Sequence, residues 1–196
     1  MNLKLTYRNN KVEYENQLQV RGNKLLSYES FPNYESFYAE VYQQMFQNLF
    51  GYGMRICGNR ELVKDSIQEL FSELWKNQKI LTKIKSIEPY LLKCLKRRIK
   101  RESRKRKRFF IEDSFGIEIS QEVKLIRDQQ YLREQYLLKK ALKLLTDRQR
   151  EAIYLKFYSH LSYEEVAQVL SIKTKAVYKL VTRALSSLKI VMTTSS

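Results

Sequence analysis

One helix face is the first place in this sequence where chemistry could occur. Between residues 65 and 75, acidic and polar side chains recur every three or four positions, in a chain of 196 residues whose formal net charge is +16. Side chains at that spacing lie together on one face of an α-helix. The members of this face, called here the acidic face, are Asp65, Gln68, Glu69, Ser72 and Glu73. The acidic face is either solvated or the docking surface for a partner.

Catalysis by these carboxylates is disfavoured. An enzyme acting on nucleic acid would need a second carboxylate cluster to hold metal ions, or a nucleophile with a nearby base. The only histidine is His160, and Cys57 and Cys94 are distant in sequence, so a zinc site is not expected either. We therefore predict no catalytic residue, no metal site, no cofactor and no small-molecule substrate.

A basic segment provides the second set of candidate residues. Eleven of the sixteen residues from 93 to 108 are Lys or Arg. Clustered positive charge indicates a polyanionic partner, either nucleic acid or an anionic membrane surface. The candidate DNA contacts are Lys93, Lys96, Arg97, Lys100, Arg101 and Arg104. The end of the segment, residues 104 to 108, is alternatively the charged end of a helix.

The C-terminal part of the chain has the pattern of a helix-turn-helix. Ser162 and Glu165 form a capping box that opens a short helix. The small Ala167 suits the close crossing of two helices. Residues 171 to 173 are expected to form the turn, and Thr174 is a candidate cap for the second helix.

The second helix of this motif carries the third set of candidate residues. Its apolar stripe runs with helical period from Val177 to Leu188. The early exposed positions of such a helix reach base edges in the DNA major groove, and basic side chains hold phosphates. These positions are Lys173, Thr174, Lys175, Tyr178, Lys179, Thr182 and Arg183. A plain helical hairpin with a solvated face is the alternative.

Helical periodicity predicts the elements that position the first two sets. An apolar stripe from Phe37 to Leu49 predicts a first helix, which Gly58 is expected to end. A second helix is predicted over residues 60–77, with the acidic face opposite a buried stripe that includes Trp75. Pro89 is expected in the first turn of a third helix, where its missing N–H costs nothing, and this helix becomes the basic segment.

Two more helices are predicted before the helix-turn-helix. A long amphipathic helix is expected over residues 123–145. Thr146 and Gln149 form a second capping box. The helix that it opens is expected to bury Ile153 and Phe157 and to end near Tyr158.

These patterns predict an all-α protein of two small helical domains joined by a flexible linker. Two prolines and five glycines in 196 residues are few helix breakers. The expected divisions are an extension over residues 1–32, a helical domain over 33–108, a linker over 109–122 and a helix-turn-helix domain over 123–192. Reduced cysteines, the lack of a signal peptide and the lack of an apolar run of about 20 residues predict a cytoplasmic location.

Two segments of the chain resemble the conserved regions of bacterial sigma factors. In the first, Asp65, Gln68, Glu69, Phe71 and Trp75 fill every position of the pattern Asp-x-x-Gln-Glu-x-Phe-x-x-x-Trp found in sigma region 2. In the second, the helix-turn-helix of residues 161–179 resembles sigma region 4. Their order and spacing are similar to those of the sigma-70 family, in its small extracytoplasmic-function subfamily.

The resemblance implies a function for each candidate set. A sigma factor binds core RNA polymerase and directs promoter-specific transcription initiation. The acidic face would bind the β′ coiled coil, the basic helix would follow the backbone at the −10 element, and the helix-turn-helix would read the −35 element near the β flap. The loop of residues 78–88 would capture a flipped base, with Lys83, Lys85 and Ser86 as candidates. A membrane-anchored anti-sigma factor is the implied inhibitor.

Some positions depart from the family pattern. The family often has Asn at position 97 and Asp at position 101, where this chain has arginine, and commonly Gly at position 171, where it has serine. A left-handed Ser171 would cost about 1 kcal/mol. The alternative function is a stand-alone helix-turn-helix transcriptional regulator. Its N-terminal half would need a ligand pocket or a self-complementary apolar face, and the sequence pattern indicates neither.

Overall fold

Seven α-helices make up the part of the chain that the computed structural model describes, which is residues 33–79, 84, 86–105 and 129–194, with side chains over 33–79, 84, 86–105 and 136–190. The helices are α1 (Tyr34–Cys57), α2 (Arg60–Lys76), α3 (Ile87–Lys105), α4 (Gln129–Lys143), α5 (Asp147–Ile153), α6 (Tyr163–Leu170) and α7 (Thr174–Thr194). A π-helical turn, Tyr154–Tyr158, continues α5. The predicted all-α fold is confirmed.

Helices α1, α2 and α3 pack on one another to form the N-terminal domain. Gly58 ends α1 in the left-handed conformation (φ 61°), as predicted, and the Asn59 side chain caps α2 by accepting from the Leu62 N–H at 2.8 Å. A methyl group on Gly53 would lie 2.7 Å from Val63 Cγ1. The absence of a side chain at Gly53 therefore lets α1 and α2 approach closely enough to align the acidic face with α3.

Helices α4, α5 and α6 pack against α7 to form the C-terminal domain. Both predicted capping boxes are present, at Thr146 with Gln149 and at Ser162 with Glu165. Ser171 is left-handed, with φ 56°, as the helix-turn-helix pattern required. These local signals fix where α5, α6 and α7 begin, and so place the start of α7 on the surface.

The two domains also pack against each other, which the sequence pattern did not predict. The basic helix α3 contacts α6, the first helix of the helix-turn-helix. Buried apolar residues of both domains form one continuous core. A polar cluster around Glu151, described below, adds to this apolar contact between the domains.

Three sequence expectations about individual side chains are wrong. Trp75 is 41% exposed, and its ring lies at the edge of the domain against Tyr34 and Tyr38, with ring centroids 5.1 and 4.9 Å away. Phe157 is 45% exposed, because the π-helical turn adds a residue per turn and rotates it out of the buried stripe. Thr174 is the first helical residue and not the cap, since the Lys173 carbonyl already accepts from the Ala176 N–H at 2.8 Å.

A fourth expectation also fails, because Leu185, within the apolar stripe of α7 that was expected to be buried, is 43% exposed. Helix α4 begins at Gln129, and the predicted residues 123–128 lie outside the described chain. Cys57 and Cys94 are half-buried free thiols. Within the described residues, none of the helices has the length and hydropathy needed to cross a bilayer.

Candidate functional site

The acidic face of α2 is presented to solvent as predicted. Asp65, Gln68, Glu69, Ser72 and Glu73 are all exposed, while the opposite stripe of α2 is buried in the core. A partner could therefore reach these side chains from solvent. Five polar side chains on one rigid helix can donate and accept hydrogen bonds across a surface that a basic partner would complement.

A buried arginine from α3 fixes two members of the acidic face. Arg98 is only 8% exposed, and its guanidinium forms ion pairs with Glu69 and, at 2.5 Å, with Glu73. The hydrogen bond from Arg98 lowers the pKa of Glu73, so this carboxylate stays ionised. The two acids are themselves largely exposed. Arg98 therefore connects the acidic face of α2 directly to the basic helix α3.

Sequence reasoning counted Arg98 within the basic segment but missed its role. A signal was present, because Arg98 lies seven residues after Leu91 and next to Ile99, both fully buried. A cation on the buried stripe of α3 destabilises the folded protein unless a carboxylate pairs with it. Glu69 and Glu73 of α2 supply the carboxylates.

The candidate DNA contacts on α3 are either exposed or half-buried. Arg97, Arg101 and Arg104 are exposed, and Lys93 and Lys100 are half-buried. Arg101 Nε pairs with Glu102 at 3.2 Å, and the Arg101 side chain is 58% exposed. The six candidate cations thus follow one helix. The sixth of them, Lys96, is paired with a carboxylate.

Lys96 is engaged inside the protein. Its ammonium donates to both oxygens of Glu151 of the C-terminal domain, at 2.7 and 2.9 Å. The Tyr52 hydroxyl of α1 donates to the same carboxylate at 2.6 Å. Burial, and then the Glu151 carboxylate, raise the pKa of Tyr52, so its hydroxyl remains a donor. Glu151 itself is buried, and it was not singled out from the sequence, although Leu155 four residues later is fully buried on the same helical face.

Further polar and aromatic contacts join the two domains around Glu151. The Ser159 hydroxyl donates to the Asn48 side-chain oxygen at 3.1 Å. The Arg55 guanidinium lies over the rings of Tyr154 and Tyr158, at 4.6 and 5.4 Å from their centroids. The π-helical turn supplies Tyr154 and Tyr158, and Ser159 follows it directly. Such turns commonly occur at functional positions.

The helix-turn-helix presents its predicted contacts on one surface. Lys173, Lys175, Tyr178, Lys179, Thr182 and Arg183 are exposed, and Thr174 is half-buried. The Tyr178 ring stacks on Tyr163 of α6 with centroids 3.9 Å apart, and Lys156 lies over Tyr163. Stacking fixes the Tyr178 ring at the start of α7. Its hydroxyl and the flanking cations remain accessible to a ligand.

The loop between α2 and α3 is described only in part. Ser86 is half-buried, and Ile84 packs against the core. Lys83 and Lys85 lie outside the described residues. The structure therefore places one of the three candidates in this loop, directly before the start of α3.

Comparison with known families assigns both domains. Residues 41–109 match the family described as sigma-70 region 2, and residues 135–188 match sigma-70 region 4, so the two matches cover more than half of the 196 residues. A search of curated proteins finds no match.

Solved structures with a similar fold include two protein complexes. One is the sigma factor RpoE in complex with the anti-sigma factor NepR from Bartonella quintana, at 24% identity and a TM-score of 0.56, covering 81% of this chain and 98% of that chain. The other is CnrH in complex with the cytosolic domain of CnrY, at 17% identity and a TM-score of 0.54, covering 89% and 99%. At these identities the likeness shows the fold.

The matches do not favour the alternative of a stand-alone regulator, because the N-terminal half is region 2 and not a sensing or dimerisation domain. Regions 2 and 4 in this order are the domain content of the extracytoplasmic-function type. The chain belongs to the sigma-70 family as a sigma factor of that type, which binds core RNA polymerase and directs promoter-specific transcription initiation.

Proposed function

We propose that three surfaces divide the work of initiation in this chain. The acidic face of α2 binds the β′ coiled coil of core polymerase. Helix α3, with Lys83, Lys85 and Ser86 before it, binds and opens the −10 element, and the start of α7 reads the −35 element near the β flap. The observation that carries this proposal is the exposure of all five members of the acidic face on one helix.

The domain boundaries follow from this division. Residues 33–108 act as the polymerase-binding and −10 domain, and residues 123–192 act as the −35 domain. Residues 109–122 link them, and residues 1–32 form an extension. A factor that works on polymerase and promoter acts in the cytoplasm.

A protein inhibitor is part of the proposal. Both solved structures named above are of proteins bound to a second chain, an anti-sigma factor in the first and CnrY in the second. We extend the first of these partnerships to this chain and propose a membrane-anchored anti-sigma factor as its regulator. Co-purification from cells with a tagged chain would identify that partner. The proposal fails if only polymerase subunits are recovered from cells in which the protein directs no transcription.

Binding to core polymerase tests the acidic face. Gln68→Ala is the cleanest variant, because Gln68 is exposed and not among the residues that Arg98 holds, so the fold should be unaffected. We expect weakening of about tenfold, which corresponds to about 1.4 kcal/mol. Gln43→Ala on the exposed face of α1 is the matched control and should bind as the wild type does. Equal affinity of both variants would contradict the assignment.

Binding of the holoenzyme to promoter DNA tests α7. Lys175→Ala and Arg183→Ala should each weaken binding and lower the log–log salt slope by about one if they contact phosphate. Lys143→Ala removes an exposed cation at the end of α4 and serves as control. An unchanged slope in all three variants would show that the −35 surface lies elsewhere.

A further inference from the structure

The Glu151 carboxylate occupies a site built for an anion. It accepts three hydrogen bonds, two from the Lys96 ammonium and one from the Tyr52 hydroxyl, at distances of 2.6 to 2.9 Å. All the donors belong to the N-terminal domain, on α1 and α3, while the acceptor comes from α5 of the C-terminal domain. The site is nearly closed to water, since Glu151 is only 7% exposed.

An ammonium next to a hydroxyl donor is also how proteins hold backbone phosphates of DNA. Charge-assisted hydrogen bonds to phosphate have the same donors and the same lengths as those to carboxylate. Lys96 lies within the row of cations on α3, between Lys93 and Lys100. A carboxylate of the other domain covers Lys96.

We propose that Lys96 and Tyr52 form a binding site for a DNA backbone phosphate, and that Glu151 occupies this site as a carboxylate substitute while the two domains are packed together. The inference rests on the proposed role of α3 in DNA binding and adds a specific site and a competitor to it. DNA phosphate and Glu151 use the same donors, so only one of them is bound at a time.

This competition links DNA binding to the contact between the domains. A phosphate that displaces Glu151 also removes the buried ion pair that joins α3 to α5. Conversely, separation of the domains exposes Lys96 and Tyr52 to DNA. Such linkage is reciprocal, and its usual size is about 5-fold to 150-fold in affinity.

Binding of the full-length chain to a generic 30-base-pair duplex tests the site, because phosphate contacts do not depend on sequence. Glu151→Gln removes the competing charge and should raise the affinity by about fivefold or more. Glu35→Gln is the matched control. It removes the same charge from an exposed position on α1 and should change the affinity by less than about twofold.

A double variant locates the gain at Lys96. In the Glu151→Gln background, Lys96→Met should abolish the gain and lower the log–log salt slope by about one, as expected for one lost phosphate contact. In the wild-type background, Lys96→Met should have a much smaller effect on affinity, since Lys96 is already engaged by Glu151. If the Gln variant does not melt cooperatively, Glu151→Asp replaces it, because a shorter side chain cannot keep all three hydrogen bonds.

The outcomes separate this inference from the proposed function. Duplex binding that Glu151→Gln changes no more than Glu35→Gln does would overturn the phosphate site and leave the role of α3 intact. A gain that persists after Lys96→Met would also overturn it. Absence of duplex binding in every variant, together with polymerase-dependent transcription, would overturn the DNA-binding role of α3 and the phosphate site with it.

Discussion

Removal of the two carboxylates that hold Arg98 should cost more than the two single changes predict. Arg98 is 8% exposed, whereas Glu69 and Glu73 are 59% and 66% exposed. Glu69→Gln or Glu73→Gln alone leaves Arg98 with one carboxylate, so each should lower the free energy of unfolding by about 0.5–1 kcal/mol. The double variant leaves a buried guanidinium with neither of these acids and should lose about 3 kcal/mol. The excess over the sum is therefore about 1 kcal/mol or more.

Urea unfolding followed by fluorescence measures these values in the right domain. Trp75 is the only tryptophan in the chain and lies on α2, the helix that carries both acids. Glu61→Gln is the control, because its pair with Lys64 is exposed at both ends and should contribute less than about 0.5 kcal/mol. Additivity of the two single variants within about 0.3–0.5 kcal/mol would refute the view that Arg98 depends on both carboxylates.

Removal of the arginine, and not of the acids, should lower the free energy of unfolding by a smaller amount. Arg98→Met removes the buried charge and leaves two acids that water can reach. The expected loss is about 1–2 kcal/mol, smaller than that of the double acid variant, because no charge remains buried without a partner. An Arg98→Met variant less stable than the double acid variant would show that packing of the arginine stem, and not charge compensation, dominates.

Three further predictions concern stability. Gly53→Ala should lower the free energy of unfolding by about 1–3 kcal/mol, because the added methyl would lie 2.7 Å from Val63, whereas Gly51→Ala meets its nearest neighbour at 3.3 Å and should change it by less than about 1 kcal/mol; equal thermal melts of the two variants would contradict the close approach of α1 and α2. Ser171→Gly should raise the stability by about 0.5–1 kcal/mol, because glycine adopts the observed positive φ without strain, and a lower melting temperature would count against this. Arg98 lowers the pKa of Glu73, so its contribution to stability is complete above the unfolded-state value of about 4.3 and is lost as the pH falls through the lower folded-state value. The stability difference between wild type and Glu73→Gln should therefore be constant near pH 7 and shrink below about pH 4, and a difference that persists in strong acid would contradict the sign.

Local sequence signals predicted the elements well because their causes are local. The capping boxes at Thr146 and Ser162 and the glycine at position 58 act within four residues, and each marks a helix boundary in the structure. The acidic face was predictable for the same reason, since spacing alone places its members on one side of α2. The resemblance to sigma region 2 then implied a partner for that face, which remains a prediction.

The features that sequence reasoning missed depend on contacts between distant residues. Glu151 lies 99 residues from Tyr52 and 55 from Lys96, and no periodicity connects them. The exposure of Phe157 depends on a π-helical turn that the 3.6-residue period does not represent. Trp75 was expected in the core from its stripe, but its ring lies at the edge of the domain, against two tyrosines of α1.

The contact between α3 and α6 also sets a limit on promoter geometry. In the packed form, α3, which we propose binds the −10 element, touches α6 of the domain proposed to bind the −35 element, whereas the two elements are centred about 25 base pairs, or about 85 Å, apart on the duplex. The 23 residues between α3 and α4 can span at most about 80 Å. Fully extended, this segment is about as long as the separation of the two elements. Deletions between residues 106 and 128 should therefore shift the preferred spacing of the two elements toward shorter values. The length of this segment would then limit which promoters the protein can use.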